Sequence, residues 1–289
     1  MDKNSNQVNK IRLSCSMTIF IILLSTIYVI SWSPQQQLNL KAMAQTGTNN
    51  VSIQDQKVNS TINETLANQV ATLNGRTIAY FYSKNFDEAI ALSDQALSID
   101  PNNSDALNNK AVALFNLGRS NETIAVLNKA LLIRPNDLDA LNNKALALLD
   151  LGRFNDTVTV SDQALSIDPN NSDALNNKAV ALFSLGRSNE SIAVFNKVLS
   201  IDPINLDTLN NIALALLTLG RFNDTVTVSD RALSIDPNDL DALNNKAAAL
   251  IAMEEYDKAN TLLDKVLAID PNNIDALDIK RASIDAVSK

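Results

Sequence analysis

The sequence contains no histidine, a single cysteine and few aromatic residues. Histidine is the usual proton shuttle and a common metal ligand near neutral pH, so its absence from all 289 residues excludes a Ser-His or Cys-His nucleophile and a Cys/His zinc site within one chain. Cys15 has no second cysteine with which to form a disulfide. Aromatic residues are 4% of a chain that is 46% hydrophobic, a mix typical of helices packed through alanine and leucine.

The chain also lacks an excess of basic residues and a glycine-rich phosphate loop. Its net charge of −8 disfavours nucleic acid as a partner, because a basic face supplies most of that affinity. The carboxylates recur with the repeat described below, which is typical of helix caps and solvated charge. We therefore predict that the protein is not an enzyme and has no catalytic residues, no metal and no cofactor.

One long stretch near the N-terminus lacks charge altogether. Residues 13–32 form an apolar run of the length that crosses a bilayer as a helix, and Lys3, Lys10 and Arg12 precede it. The positive-inside bias then predicts a cytoplasmic N-terminus at 1–12 and a single-pass anchor with the rest of the chain outside. The alternative is a signal segment that is cleaved near Ala44, which would make the protein secreted.

A polar segment follows the apolar run. Residues 33–69 are read as a flexible linker, because much of this segment is rich in threonine, asparagine, serine and glutamine and has little apolar surface to bury. If the domain is external, its Asn-x-Ser/Thr sequons predict N-glycosylation. A chain rich in these residues also produces sequons by chance. They begin at Asn50, Asn59, Asn63, Asn102, Asn121, Asn155, Asn170, Asn189 and Asn223.

Proline and glycine are scarce, and most of them follow one spacing. Six prolines are each separated by 34 residues, and four glycines lie 17 residues after a proline. The prolines are Pro101, Pro135, Pro169, Pro203, Pro237 and Pro271, and the glycines are Gly118, Gly152, Gly186 and Gly220. A fixed period in this range indicates a solenoid of stacked hairpins. Adjacent repeats also differ in an alternating way, which indicates that a two-repeat block was duplicated.

Numbering each repeat so that its proline is position 32 divides the chain into six units and a closing helix. The units are 70–103, 104–137, 138–171, 172–205, 206–239 and 240–273, followed by a capping helix at 274–289. In five of the six units an aspartate at position 2 favours the start of helix A, and in four of them a glycine at position 15 suits a left-handed residue after it. Helix B then runs from about position 18 to the proline, which ends it.

These residues resemble the tetratricopeptide repeat family over residues 70–273. The match includes small residues at positions 8 and 27, the turn near position 15 and proline at position 32. Lysine replaces the usual leucine at position 7, and we expect its stem to be buried with the ammonium reaching solvent. The resemblance implies an all-α fold, a right-handed superhelical solenoid of antiparallel helix pairs, with the A helices lining a concave surface that binds polypeptides.

The helical period places positions 5, 6, 9 and 12 of helix A away from the packed face. We predict that paired asparagines and the apolar residues between them form a peptide-binding groove, since amides offer both donors and acceptors. The predicted residues are Asn108, Asn109, Val112, Phe115, Asn142, Asn143, Leu146, Leu149, Asn176, Asn177, Val180, Phe183, Asn210, Asn211, Leu214, Asn244 and Asn245. Asparagine at position 6 also has a purely structural explanation, support of neighbouring turns.

Two functions are consistent with these patterns. The first is a membrane-tethered scaffold or adaptor whose partners are polypeptide segments held in the concave groove. The alternative is a surface or secreted structural protein that forms homo-oligomers by end-to-end stacking of its repeats.

Overall fold

The computed structural model describes residues 53–287, with side chains described for residues 58–284. In that range the chain forms thirteen α-helices and divides into two compact units between Leu117 and Gly118. The predictions about the N-terminus, the apolar segment and the start of the linker concern residues outside this range. Among the described helices, none combines the length and the apolar character needed to cross a bilayer.

The first unit contains three helices, α1 (Ile53–Tyr82), α2 (Phe86–Ile99) and α3 (Ser104–Asn116). Helix α1 differs from the prediction of a flexible linker up to residue 69, because it already begins at Ile53. The physical reason is a stripe of apolar residues at Ile62, Leu66 and Val70, which recur every four residues and so share one side of a helix. Val70 is buried on this side against Ala96 and Ala106.

The second unit contains ten helices within the described range. They are α4 (Ser120–Ile133), α5 (Leu138–Asp150), α6 (Phe154–Ile167), α7 (Ser172–Ser184), α8 (Ser188–Ile201), α9 (Leu206–Thr218), α10 (Phe222–Ile235), α11 (Leu240–Ala252), α12 (Tyr256–Ile269) and α13 (Ile274–Val287). Each helix contacts the next along the chain, and consecutive helices are antiparallel. The odd-numbered helices from α5 are A helices of the repeat, and the even-numbered ones are B helices. The prediction of an all-α fold of paired helices is confirmed.

The A helices begin with a side-chain cap that the sequence analysis did not identify. The residue at position 34 is asparagine or aspartate, and its side-chain oxygen accepts a hydrogen bond from a backbone N–H of the following helix. Asn171 Oδ1 accepts from the N–H of Ala174 at 2.9 Å, and Asp239 Oδ1 accepts from that of Ala242 at 2.7 Å. Each such cap stabilises a helix by about 0.5–2 kcal/mol.

The A helices end at the turn that the glycines predicted. Gly152 has φ +69°, its N–H donates to the carbonyl of Leu149 at 3.0 Å, and the N–H of Arg153 donates to Leu148 at 2.9 Å. This pair of bonds is the Schellman arrangement, which favours glycine because a Cβ is strained at positive φ. Glu254 occupies the same place in the last hairpin with φ +63°, so the turn persists there without glycine.

The core is built from leucine and alanine at the predicted positions. Leu141, Leu175, Leu209 and Leu243 at position 4 are all buried, and so are the alanines at position 8 where the helices approach closely. In four units position 20 carries threonine or serine in place of alanine, and these hydroxyls find backbone acceptors. Ser191 Oγ, for example, donates to the carbonyl of Ala179 at 2.7 Å.

The position 20 hydroxyls are also the third residues of four repeating sequons. Thr157 and Thr225 are fully buried, and each donates to a carbonyl one turn earlier at 3.1 Å. The asparagines that begin these sequons, such as Asn155 and Asn223, are exposed. The threonine or serine of each repeating sequon therefore has a structural role in the core. Glycosylation of the asparagine stays a prediction.

Candidate functional site

The A helices of the second unit form a continuous row. α5 contacts α7, α7 contacts α9, α9 contacts α11, and α11 contacts α13, in addition to the contacts between sequence neighbours. No two B helices described in this unit make comparable contact with each other. Helices that meet lie on the shorter, inner side of a solenoid, so we expect the A helices to line the inner face of this unit, as the family resemblance implies.

The position 5 asparagines of this row do not project from it. Asn142 Nδ2 donates to Asn171 Oδ1 at 3.0 Å, Asn210 Nδ2 to Asp239 Oδ1 at 2.8 Å, and Asn244 Nδ2 to Asn273 Oδ1 at 3.1 Å. All three donors are buried, and their acceptors are the caps of the next A helix. The prediction that position 5 faces the groove is therefore corrected for these three residues. A helical wheel of one helix contains no information about the cap of the next repeat, which covers this position.

Two position 5 asparagines are less enclosed than the others. Asn176 in the second unit and Asn108 in the first unit are half-buried. In the first unit Asn74 occupies the same repeat position and donates to Asn103 Oδ1 at 3.1 Å, so the bond to the next cap occurs there too. At Asn74, Asn142, Asn210 and Asn244, position 5 thus links one repeat to the following helix start.

The position 6 asparagines lie at the surface of the A-helix row. Asn143, Asn177, Asn211 and Asn245 are half-buried, and Asn109 of the first unit is too. Asn177 Nδ2 donates to the backbone carbonyl of Asn142 at 3.3 Å, and Asn245 Nδ2 donates in the same way to that of Asn210. One N–H of each of these two amides is used inside the array. The amide still has a second N–H and a carbonyl oxygen.

Apolar side chains at positions 9 and 12 lie between the position 6 amides. Leu146, Val180 and Leu214 at position 9 are half-buried, and so are Leu149 and Phe183 at position 12. This set and the position 6 asparagines of the second unit are called the inner strip below. Its apolar atoms are accessible enough to contact a ligand.

The first unit presents its predicted residues differently. Val112 and Phe115 are both only 8% exposed. Val112 packs with Phe81, Ala89 and Ala113 in a small core. Their role in the described structure is packing, and they offer little surface to a partner.

Charged residues at the turns after the A helices are neutralised in pairs. Arg153 lies 2.6 Å from Asp156, Arg187 2.6 Å from Glu190, and the same pairing recurs at Arg221. The hydrogen bond from Arg187 holds the pKa of the exposed Glu190 carboxyl below its usual value. This border of the inner strip therefore carries little net charge.

A second set of ion pairs joins three B helices of the second unit to the A helices that follow them. Lys178 Nζ lies 2.6 Å from Asp162 Oδ1, and Lys246 Nζ lies 2.5 Å from Asp230 Oδ1. The lysines are at position 7 and are mostly covered, with 25% and 22% of their side chains exposed. The prediction of buried stems with ammonium groups that reach out is confirmed, and the ammonium groups have specific partners.

The pairing is missing at two places, one in each copy of the two-repeat block. Asn128 occupies the place of the aspartate opposite Lys144, and Asn196 occupies it opposite Ile212. Partial burial lowers the pKa of the Lys144 ammonium; Arg153 lowers it further, and Asp156 opposes both. The charged ammonium of Lys144 is thus less favourable in the folded state, which lowers the stability of the fold. This destabilisation is fully present below the folded-state pKa of Lys144 and disappears as the pH rises above that pKa.

We expect Asn128→Asp to raise the pKa of Lys144 and to stabilise the fold at neutral pH. The new carboxylate would stand in the register that pairs Asp162 with Lys178, and exposed pairs contribute about 0.2–1 kcal/mol. Urea unfolding at low and high salt measures the effect, which should shrink with salt. Asn196→Asp is the matched control because its counterpart, Ile212, has no charge. Equal stabilisation by both substitutions would contradict the pairing.

Among the side chains of residues 58–284, no three or more Cys, Asp or Glu are arranged to hold a metal ion. The lack of a cofactor stays a prediction from composition.

Paired antiparallel helices, a continuous row of A helices and a 34-residue period define a helical-repeat protein. Tetratricopeptide repeat family models match the chain at residues 80–147 and 216–282, at 161–193 and at 138–171. The chain belongs to the tetratricopeptide repeat family, whose members are generally scaffolds without catalytic activity. No curated protein sequence matches it.

Several solved structures share this fold. PilW, a widely conserved type IV pilus biogenesis factor, matches with a TM-score of 0.67 and 20% identity, over 73% of this chain and 97% of PilW. The pilF protein of Pseudomonas aeruginosa matches with a TM-score of 0.65 and 16% identity, over 75% of this chain and 99% of that one. YrrB, a repeat protein with an unusual peptide-binding site, has a TM-score of 0.55 and 17% identity, over 65% and 97% of the two chains.

Proposed function

We propose that the protein is a scaffold that holds polypeptide segments of its partners on the inner strip. The observation that carries the proposal is the strip itself, a row of half-buried apolar side chains bordered by amides on helices that line the inside of a curve. Apolar contacts supply affinity, and the amide groups are suited to the backbone N–H and carbonyl groups of an extended chain. The peptide-binding site of YrrB, a protein of the same fold, is consistent with this use.

The contacts at position 6 refine which amides do the binding. Asn177 and Asn245 each donate one N–H inside the array and have the rest of the amide for a ligand. The buried Asn142, Asn210 and Asn244 are assigned to structure. The proposed binding residues are therefore the inner strip, with Asn176 as the least enclosed position 5 asparagine described in the second unit.

Site-specific photo-crosslinking in intact cells tests this proposal. A photoreactive residue in place of Asn177 should crosslink to polypeptides, whereas one in place of Gln163, exposed on helix α6, should give little product. The variant Leu214→Glu should lower the yield from position 177 by roughly tenfold, because a charge would be buried under a bound peptide. Circular dichroism checks that both proteins keep their helices. Equal yields from positions 177 and 163 would refute the inner strip as the binding surface.

We further propose that residues 13–32 tether this scaffold to a membrane, with the repeats on the outer side. Support comes from the uncharged run and from the three basic residues before it, which the positive-inside bias places in the cytoplasm. Carbonate extraction of membranes should leave the full chain in the pellet and release a variant that lacks 13–32. Release of the full chain, with a mature N-terminus after Ala44, would support the secreted alternative.

A further inference from the structure

Helix α13 exposes apolar residues, two of them at positions 4 and 11, which are buried in the other A helices of the second unit. Leu277 at position 4 is 44% exposed, whereas Leu141, Leu175, Leu209 and Leu243 at that position are at most 2% exposed. Ile274 and Ile284 on the same helix are 68% and 57% exposed. In the other hairpins of this unit the B helix covers this side. Within the described residues, no B helix follows α13.

The exposed side of α13 also carries one charge of each sign. Asp278 and Arg281 are both exposed, and within the described residues neither has an ion-pair partner. At 100° per residue, these two side chains lie with Ile274, Leu277 and Ile284 on one arc of about 120°. The arc is therefore an apolar stripe with a central acid and a central base, here called the α13 stripe.

We propose that the α13 stripe binds the same stripe of a second copy of the chain, with the two helices antiparallel about a two-fold axis. In an antiparallel pair of identical helices, the residue numbers of any two residues that face each other add up to the same value. When Asp278 of one copy faces Arg281 of the other, Ile274 faces the turn that contains Ile284, and Leu277 lies near the axis. The Asp278–Arg281 ion pair then forms twice, once on each side of the axis, and the exposed apolar residues of the stripe lie against apolar residues of the other copy.

Two observations favour this partner over end-to-end stacking of the repeats. End-to-end stacking needs a second surface that matches an apolar stripe, and the exposed residues of helix α1 in the first unit include Thr72, Arg76 and Ala79, which do not form one. Position 8 of α13 is Arg281, whereas the A helices before it in the second unit have fully buried alanine there. An arginine at this place prevents the close approach of a B helix in the usual geometry and leaves room for a charge-paired helix.

The interface is small, since each copy contributes one helix, and stable interfaces usually bury about 1,200 Å² or more in total. We therefore expect a weak dimer with a dissociation constant on the order of 10 μM. Sedimentation velocity of the full-length protein over a concentration series measures it. Leu277→Asp should weaken the dimer by about tenfold or more, because it places a carboxylate near the axis. Leu132→Asp, at an exposed site on α4, should leave it unchanged.

A charge-exchange experiment distinguishes this arrangement from nonspecific association. Asp278→Arg and Arg281→Asp should each abolish the homodimer, since like charges would face each other. The double variant should dimerise again, and an equimolar mixture of the two single variants should form a heterodimer. A monomer at all concentrations, a dimer insensitive to Leu277→Asp, or single variants that fail to pair with each other would overturn the proposal.

Discussion

Replacing Phe195 with alanine should lower the free energy of unfolding by about 3–5 kcal/mol, the usual cost of a large buried side chain. Phe195 at position 24 of α8 is 1% exposed and packs with Leu199, Leu209 and Ile212. Position 24 of the neighbouring units holds Ser161 and Ser229, whose buried hydroxyls have no partner among the described residues. The adjacent repeats therefore have little apolar material with which to fill the cavity.

Guanidinium unfolding followed by circular dichroism measures this loss as a shift in midpoint. Leu132→Ala is a suitable control because Leu132 is 83% exposed, and a surface substitution of this kind changes stability by less than about 0.5 kcal/mol. A loss for Phe195→Ala no larger than that of the control would show that α8 and α9 do not share the core described above.

Replacing Asn210 with alanine should cost about 1.5–3 kcal/mol, because its buried amide donates to a charged partner, the cap Asp239. The expected loss for Asn177→Ala is smaller, about 0.5–1.5 kcal/mol, because that amide donates to a neutral backbone carbonyl and is half-buried. The same unfolding experiment compares the two variants. In crosslinking from a probe at Leu214, Asn177→Ala should reduce the yield, whereas Asn210→Ala should retain it as long as the array is folded.

The two readouts separate structural from binding asparagines. Greater instability of Asn177→Ala than of Asn210→Ala would reverse the assignment of positions 5 and 6. Unchanged crosslinking in Asn177→Ala would show that this amide does not take part in binding. The binding surface would then consist of the apolar residues of the inner strip.

Much of the fold was predictable because the glycines and prolines that end helices follow the 34-residue period, and the core residues follow it too. Gly152 and Pro169 mark the ends of α5 and α6 within a few residues, and Leu141 and Ala145 identify the buried side of α5 from the helical period alone. These features depend on interactions within one hairpin, which the local sequence specifies.

The features that were missed depend on contacts between repeats or on competing signals. Asn142 lies outside the packed arc of its own helix, and only the cap at Asn171 in the next repeat buries it. The cap was recognisable from asparagine or aspartate at position 34, immediately before each A helix. The prediction of a linker over residues 53–69 followed from their polar composition. The apolar stripe at Ile62, Leu66 and Val70 instead indicates a helix, which is what the structure shows there.

The bonds from Asn142, Asn210 and Asn244 to the caps that follow them give the array a direction. Asn142 on α5 reaches its acceptor only when the chain has continued to Asn171, twenty-nine residues later, and Asn210 depends in the same way on Asp239. During synthesis such a hairpin thus presents a hydrated amide donor to the helix start that emerges next from the ribosome. Assembly from the N-terminal end can proceed one hairpin at a time, and a chain stalled midway would end in an open amide that a misplaced segment could occupy.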